Sequence, residues 1–203
     1  MLPSIAVAYT NRIPADTFAE FRRLVDANGL GLQVEEREED GPYASLEWLI
    51  PTAVIVFIGK AYFESFLKEM GKDHYSLLKA GLKSLHSRLL GPQAPKVVVI
   101  STKGKASPEQ PYSLLYSLLA EGEGGIRFKL LLQRSATQEE YEETVNAFLA
   151  FLDAYHAGAL EPSVVSELQN TRVHGKTLLL AFNPSLNRVQ PVDPLSNKGA
   201  NGA

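Results

Sequence analysis

Residues 48–70 read WLIPTAVIVFIGKAYFESFLKEM, and this stretch, Trp48–Met70, decides the fold class. Val54, Ile55, Val56, Phe57 and Ile58 are all β-branched or aromatic, with no polar residue between them. A strand buried on both faces has that pattern. Gly59 turns the chain, and from near Lys60 the apolar residues recur at helical spacing: Tyr62, Phe63, Phe66, Leu67 and Met70. A buried strand ending in glycine and passing into a helix is the unit of a parallel α/β sheet. Such folds place their ligands at the C-terminal ends of the strands. The stretch predicts an α/β fold with a mainly parallel central sheet flanked by helices, and it points to the segment after Ile58 for function.

Working toward the N-terminus, Tyr43–Leu49 reads as a short helical turn entering the strand. Glu35–Asp40 (EEREED) reads as a solvated acidic loop, because carboxylates that follow one another directly fan outward instead of surrounding an ion. Gly31–Glu35 reads as a strand and Ala15–Asn28 as a helix, with Phe18, Phe21, Leu24 and Val25 on one face and Asn28-Gly29 as its stop. Ser4–Tyr9 (SIAVAY) reads as the first strand.

Toward the C-terminus, the apolar stripe continues through Leu77, Leu78, Leu82 and Leu85, with Gly71 and Gly81 as interior weak points. This predicts one bent helix or two consecutive ones ending near Leu90-Gly91-Pro92. Lys96–Ser101 (KVVVIS) reads as another buried strand. Tyr112–Glu121 and Ile126–Arg134 flank the turn Gly122–Gly125 and read as a β-hairpin. Tyr112, Leu115, Tyr116 and Leu119 also fit a helical period, so the first arm is open between strand and helix. Thr137–His156 is a helix with Thr137 and Glu140 set as a capping box. Thr177–Phe182 reads as the last long strand, paired with Arg188–Val192. The expected organisation is one α/β domain over residues 1–193. Its first part spans 1–104, and the hairpin, helix and last strand of 105–193 form an extension packed on it. A disordered polar tail follows over 194–203.

The totals set limits. The 203 residues are 45% hydrophobic and 21% charged, enough for one sizeable core. A net charge of −3 argues against nucleic-acid binding. With no cysteine there is no disulfide, thiolate metal site or cysteine nucleophile. The N-terminus lacks the basic region of a signal peptide, and the longest apolar run, Trp48–Ile58, is too short to span a bilayer. These features predict a cytoplasmic protein.

Searching for chemistry gives little. There is no GxxxxGK[ST], no GxGxxG after a strand and no GxSxG. The histidines His74, His86, His156 and His174 fall in no HExxH or HxxxH pair and each lies in a polar sequence setting, which argues against metal ligation. The charges from Lys60 to Arg88 alternate in sign as on a solvated helix face, with Glu64 and Lys68 at i,i+4. No metal, cofactor or catalytic residue is predicted.

Ile55–Leu67 (IVFIGKAYFESFL) resembles the strand-to-helix join of TIR-like domains, where a pattern close to S-P-x-Y-x-x-S-x-W-C-x-x-E follows the strand. Tyr62 and Ser65 fall on the family's Tyr and Ser, and the resemblance covers about the first 90 residues. Gly59 stands for the family's Ser, Lys60 for its Pro, and Leu67 and Lys68 for its Trp-Cys pair. The family's catalytic Glu falls at Gly71, and Glu69 is turned about 200° away from that direction. The resemblance therefore implies a TIR-like or flavodoxin-like domain without the NAD-cleaving carboxylate: a non-enzymatic protein-interaction or signalling domain. A protein partner or self-association follows from it, with Tyr43, Trp48, Tyr62, Tyr112 and Tyr116 as aromatic contact candidates. The alternative is a divergent enzyme or binding protein acting on an NAD-like nucleotide or another small molecule. Its site would sit at the ends of the strands Ser4–Tyr9 and Thr52–Ile58, formed by Tyr9, Asn11 and Arg12 together with Lys60, Tyr62 and Glu64.

Overall fold

The computed structural model describes residues 3–38, 52–66, 68, 72–91, 94 and 111–193. Among them, seven strands form one sheet: β1 (Ile5–Thr10), β2 (Leu32–Arg37), β3 (Val54–Ile58), β4 (Tyr116–Glu121), β5 (Arg127–Leu131), β6 (Thr177–Asn183) and β7 (Arg188–Pro191). Their order across the sheet is β2-β1-β3-β4-β5-β6-β7. The helices are α1 (Ala19–Val25), α2 (Lys72–Leu90), α3 (Gln138–His156) and α4 (Pro162–Asn170).

The sheet is α/β but not mainly parallel. β1 with β2, β3 with β4 and β5 with β6 are parallel, whereas β1 with β3, β4 with β5 and β6 with β7 are antiparallel. Strands therefore come as parallel pairs joined through helices, and each pair is reversed relative to its neighbour. The hairpin arm left open between strand and helix is a strand. β4 and β5 pair antiparallel, as in the expected hairpin, and occupy the fourth and fifth positions of the seven-stranded sheet. Glu36 and Arg37, expected in a loop, complete β2. The expected elements Tyr43–Leu49, Lys96–Ser101 and the tail from Pro194 lie outside the described residues.

Alternation along each strand builds the core. Val7, Val56, Leu118, Leu130 and Leu180 are register neighbours across five strands, and all are essentially unexposed. Helices α1, α2 and α3 cover this face. Phe18 lies on Tyr9 with ring centroids 4.5 Å apart, and Phe151 meets Phe128 edge-on at 5.2 Å. The Tyr141 hydroxyl donates to the Leu82 carbonyl (3.0 Å) and accepts from Tyr116 (3.1 Å), tying α3 to α2 and β4. Burial raises the Tyr116 and Tyr141 hydroxyls far above the ordinary phenol range.

The opposite face carries no described helix. Ile55, Phe57 and Leu119 are half-buried there, whereas Leu131, Leu179 and Ala181 are buried. Lys129 sits in this face between Leu119 and Leu179 and is only 5% exposed.

After Gly59 the chain enters a π-helical turn at Tyr62–Phe66 before α2 begins. Gly59 is required there: a Cβ would lie 2.9 Å from the Pro3 carbonyl oxygen. The capping box forms as expected. The Thr137 hydroxyl accepts from the Glu140 N–H (3.2 Å), and the Glu140 carboxylate accepts from the Thr137 N–H (2.7 Å). Thr137→Ala is expected to cost about 1 kcal/mol, read as a lower midpoint in urea with an unchanged slope.

Candidate functional site

Antiparallel pairing of β1 with β3 divides the expected site. Tyr9 pairs with Val54 and Ile5 with Ile58. The end of β1 thus lies beside the start of β3, and Asn11 and Arg12 are exposed in the turn beyond it. Lys60 and Glu64 follow the other end of β3, about 13 Å away along the strand. Tyr9, Asn11 and Arg12 are therefore not brought together with Lys60, Tyr62 and Glu64. Tyr9 is 6% exposed and packs under Phe18, so only Asn11 and Arg12 of that group reach the surface.

Tyr62 belongs to the core and is fully buried. Its hydroxyl lies 3.1 Å from His74 Nδ1, and His74 Nε2 lies 2.7 Å from the Val25 carbonyl. A carbonyl only accepts, so Nε2 carries the proton, Nδ1 accepts, and Tyr62 donates. This relay fastens the π-helical turn to α2 and to the end of α1. His74 is 3% exposed and His86 is 5% exposed, so both are buried despite their polar sequence settings. His86 lies flat on Tyr141 at 3.9 Å and donates from Nδ1 to Gln138 Oε1. Burial pushes its pKa down, against the Gln138 hydrogen bond and the Glu142 charge. Between α2 and α3 a groove of about 320 Å³ is lined by Lys79, Lys83, Tyr141, Glu142, Val145 and Asn146. Lys83 and Glu142 form an ion pair of 2.6 Å across it.

Several titratable groups gather at the C-terminal ends of β3 and β4. The Lys60 N–H donates to Glu121 Oε2 at 3.1 Å, closing the turn after β3 onto the end of β4. The Glu123 N–H donates to the Tyr155 hydroxyl at 3.1 Å, which holds the Gly122–Gly125 turn against the last turn of α3. His156 ends that helix. Its ring stacks on Phe63 at 5.3 Å with an interplanar angle of 17°, and Tyr155 meets it edge-on at 5.2 Å. Its Nε2 is buried and has no hydrogen-bond partner. Burial lowers the His156 pKa. The charges of Glu64, Glu121 and Glu123 and the Glu121 main chain pull the other way.

Lys60 and Glu64 are thus placed beside a histidine and two further carboxylates that the sequence reading left out. His156 had one available signal, its position on the core-facing side of the last turn of a strongly patterned helix. Glu121 and Glu123 had none, because their proximity depends on β4 lying next to β3. No group of residues able to hold a metal ion occurs among the described residues. Among them, too, no helix is long and apolar enough to cross a membrane.

No protein-family model, curated protein or solved structure matches the chain. Of the positions that carry the TIR-like resemblance, Tyr62 is a buried anchor. Gly71 and Glu69, and the side chain of Ser65, lie outside the described residues.

Proposed function

We propose that the chain is a non-enzymatic protein-interaction or signalling domain, in line with its TIR-like and flavodoxin-like resemblance, and that it takes up an extended segment of a partner protein or of a second copy along β2. The observation behind this reading is the outer edge of that strand. Among the described residues β2 pairs only with β1. The Ile5 N–H donates to the Gly31 carbonyl, which sets the phase of the parallel ladder. Gly31, Gln33, Glu35 and Arg37 direct their main-chain groups toward β1, whereas Leu32, Val34 and Glu36 direct theirs outward. Exposed edges of this kind are templates for strand addition. At the other end of the sheet, β7 has four residues and includes Pro191, a combination that discourages pairing.

The β2 edge has a guard. Arg22, exposed on α1, donates from Nη2 to the outward Val34 carbonyl at 2.9 Å. A docking strand would displace this single side-chain bond and gain a ladder in exchange. Glu35 and Glu36 give the edge an acidic character, which favours a basic segment.

Glu36→Pro tests the reading. The Glu36 N–H points away from β1, so proline removes an outward donor and leaves the β1–β2 ladder intact. Sedimentation over a concentration series is expected to show association for the parent protein and its loss in the variant, with an unchanged circular dichroism spectrum. Association that survives Glu36→Pro would remove β2 as the docking edge. Incubation with NAD addresses the alternative: nicotinamide release that disappears in Glu64→Ala would replace this proposal with an enzymatic one.

A further inference from the structure

The His156 surroundings contain a conflict between packing and charge. The imidazole fills a slot between Phe63, on the π-helical turn, and the end of β4, with Tyr155 of its own helix at its edge. The charged and titratable groups around it come from three elements besides α3. They are Glu64 on the π-helical turn, with Lys60 just before it, Glu121 at the end of β4, and Glu123 in the turn that follows. On α3 itself the neighbour is Tyr155, whose hydroxyl is occupied by the Glu123 N–H.

A neutral ring suits this slot, because an unprotonated Nε2 leaves only an unused lone pair. A protonated ring does not suit it. Its second N–H would be buried without an acceptor, and an unmet buried donor of a charged group is costly. Three carboxylates stand close enough to act on the ring electrostatically, and Glu64 is exposed and therefore mobile enough to meet an imidazolium that leaves the slot. The stack on Phe63 is the contact that must break for this to happen.

We infer that His156 is an acid-responsive latch: neutral, it holds the end of α3 on the Lys60–Phe66 segment; protonated, it leaves the Phe63 stack for the surrounding carboxylates and frees both segments. The direction follows from the geometry. Protonation is easier in the opened state than in the closed one, so opening grows as the pH falls through the histidine range and reverses on neutralisation. The latch involves neither the β2 edge nor its partner, and it stands whether or not that edge binds a protein.

Hydrogen exchange of the intact protein at about pH 7.5 and about pH 5.5, corrected for intrinsic rates, tests it. The expected result is a selective loss of protection at acid pH in peptides covering Leu152–Glu161 and Lys60–Phe66, with α1 unchanged. His156→Phe keeps an aromatic ring on Phe63 but cannot be protonated, and it is expected to abolish the loss. His86→Phe, which removes the other buried histidine on the α2–α3 side, is expected to leave the loss in place. Equal protection at both pH values, or a loss that persists in His156→Phe, overturns the latch.

Discussion

The stability of this protein is expected to rise as the pH increases from about 8, to peak between about 9 and 10, and then to fall steeply. Lys129 produces the rise. Burial in the face of the sheet opposite the described helices brings its pKa from 10.5 down to about 8. Below pH 8 the ammonium is charged in both the folded and the unfolded chain, and the cost of burying it is fully present. Between the two values the folded protein has released a proton that the unfolded chain still holds, so stability increases with pH. The full difference corresponds to about 3 kcal/mol.

Buried tyrosines produce the fall. Tyr62, Tyr116 and Tyr141 are raised by desolvation, and Tyr75 is pushed up to about 12 by burial and by the Asp153 charge. Each keeps its proton in the fold after the unfolded chain has lost it near pH 10, so each removes stability from there upward, at up to about 1.4 kcal/mol per pH unit. The two effects overlap, which limits the net gain at the peak to about 1 kcal/mol. Urea denaturation across this range reads the profile directly. Lys129→Met is expected to abolish the rise and leave the fall. A rise of the same size in the variant would show that Lys129 is not its source.

The second large effect is expected at Gly81, in the middle of α2. A Cβ there would lie 2.7 Å from Val25 Cγ2 and 3.0 Å from Phe21 Cδ2, both on α1 and both fully buried. Alanine gains about 1 kcal/mol of helix propensity over glycine, but overpacking of this kind costs about 1–3 kcal/mol. Gly81→Ala is therefore expected to be destabilising, and Gly81→Leu to cost more than about 3 kcal/mol. Val25→Ala provides the internal check. Combined with Gly81→Ala it opens the space that the new methyl needs, so the double variant is expected to be more stable than the sum of the singles predicts. Strict additivity would mean that the α1–α2 contact is not what the glycine serves.

Gly81 also marks the boundary of what the sequence could convey. As a residue without helix propensity inside a strong apolar stripe, it reads as a weak point. Only the approach of α1 turns it into a requirement. The same division holds elsewhere. The β3 run, the helix ending at His156, its capping box and the Gly122–Gly125 turn were legible because each depends on neighbours within a few positions. Strand direction depends on which edge a crossover returns to, and no local pattern in Val54–Ile58 encodes that. A continuous apolar run points to parallel pairing, and β3 does pair parallel with β4. On its other side it pairs antiparallel with β1, and this one reversal carried Asn11 and Arg12 to the far end of the sheet from Lys60 and Glu64. The His156 cluster stayed hidden for the same reason, since Glu64, Glu121 and His156 are far apart in sequence and meet only through the sheet order.

The placement of the helices has a last consequence, which concerns handedness. Following the pairings across the sheet, β1 and β5 run in the same direction. From β1 the chain crosses through α1 to β2 on one side, and from β5 it crosses through α3 and α4 to β6 on the opposite side. Helices α1 and α3 lie on the same face, as the Tyr9–Phe18 and Phe128–Phe151 contacts establish. Two crossovers with the same strand direction, the same face and opposite steps have opposite hands. Parallel crossovers are right-handed in about 98% of cases, and this sheet must contain an exception. No rotation superposes the β5–α3–α4–β6 unit on the β1–α1–β2 unit, although both join parallel neighbours through helices on one face.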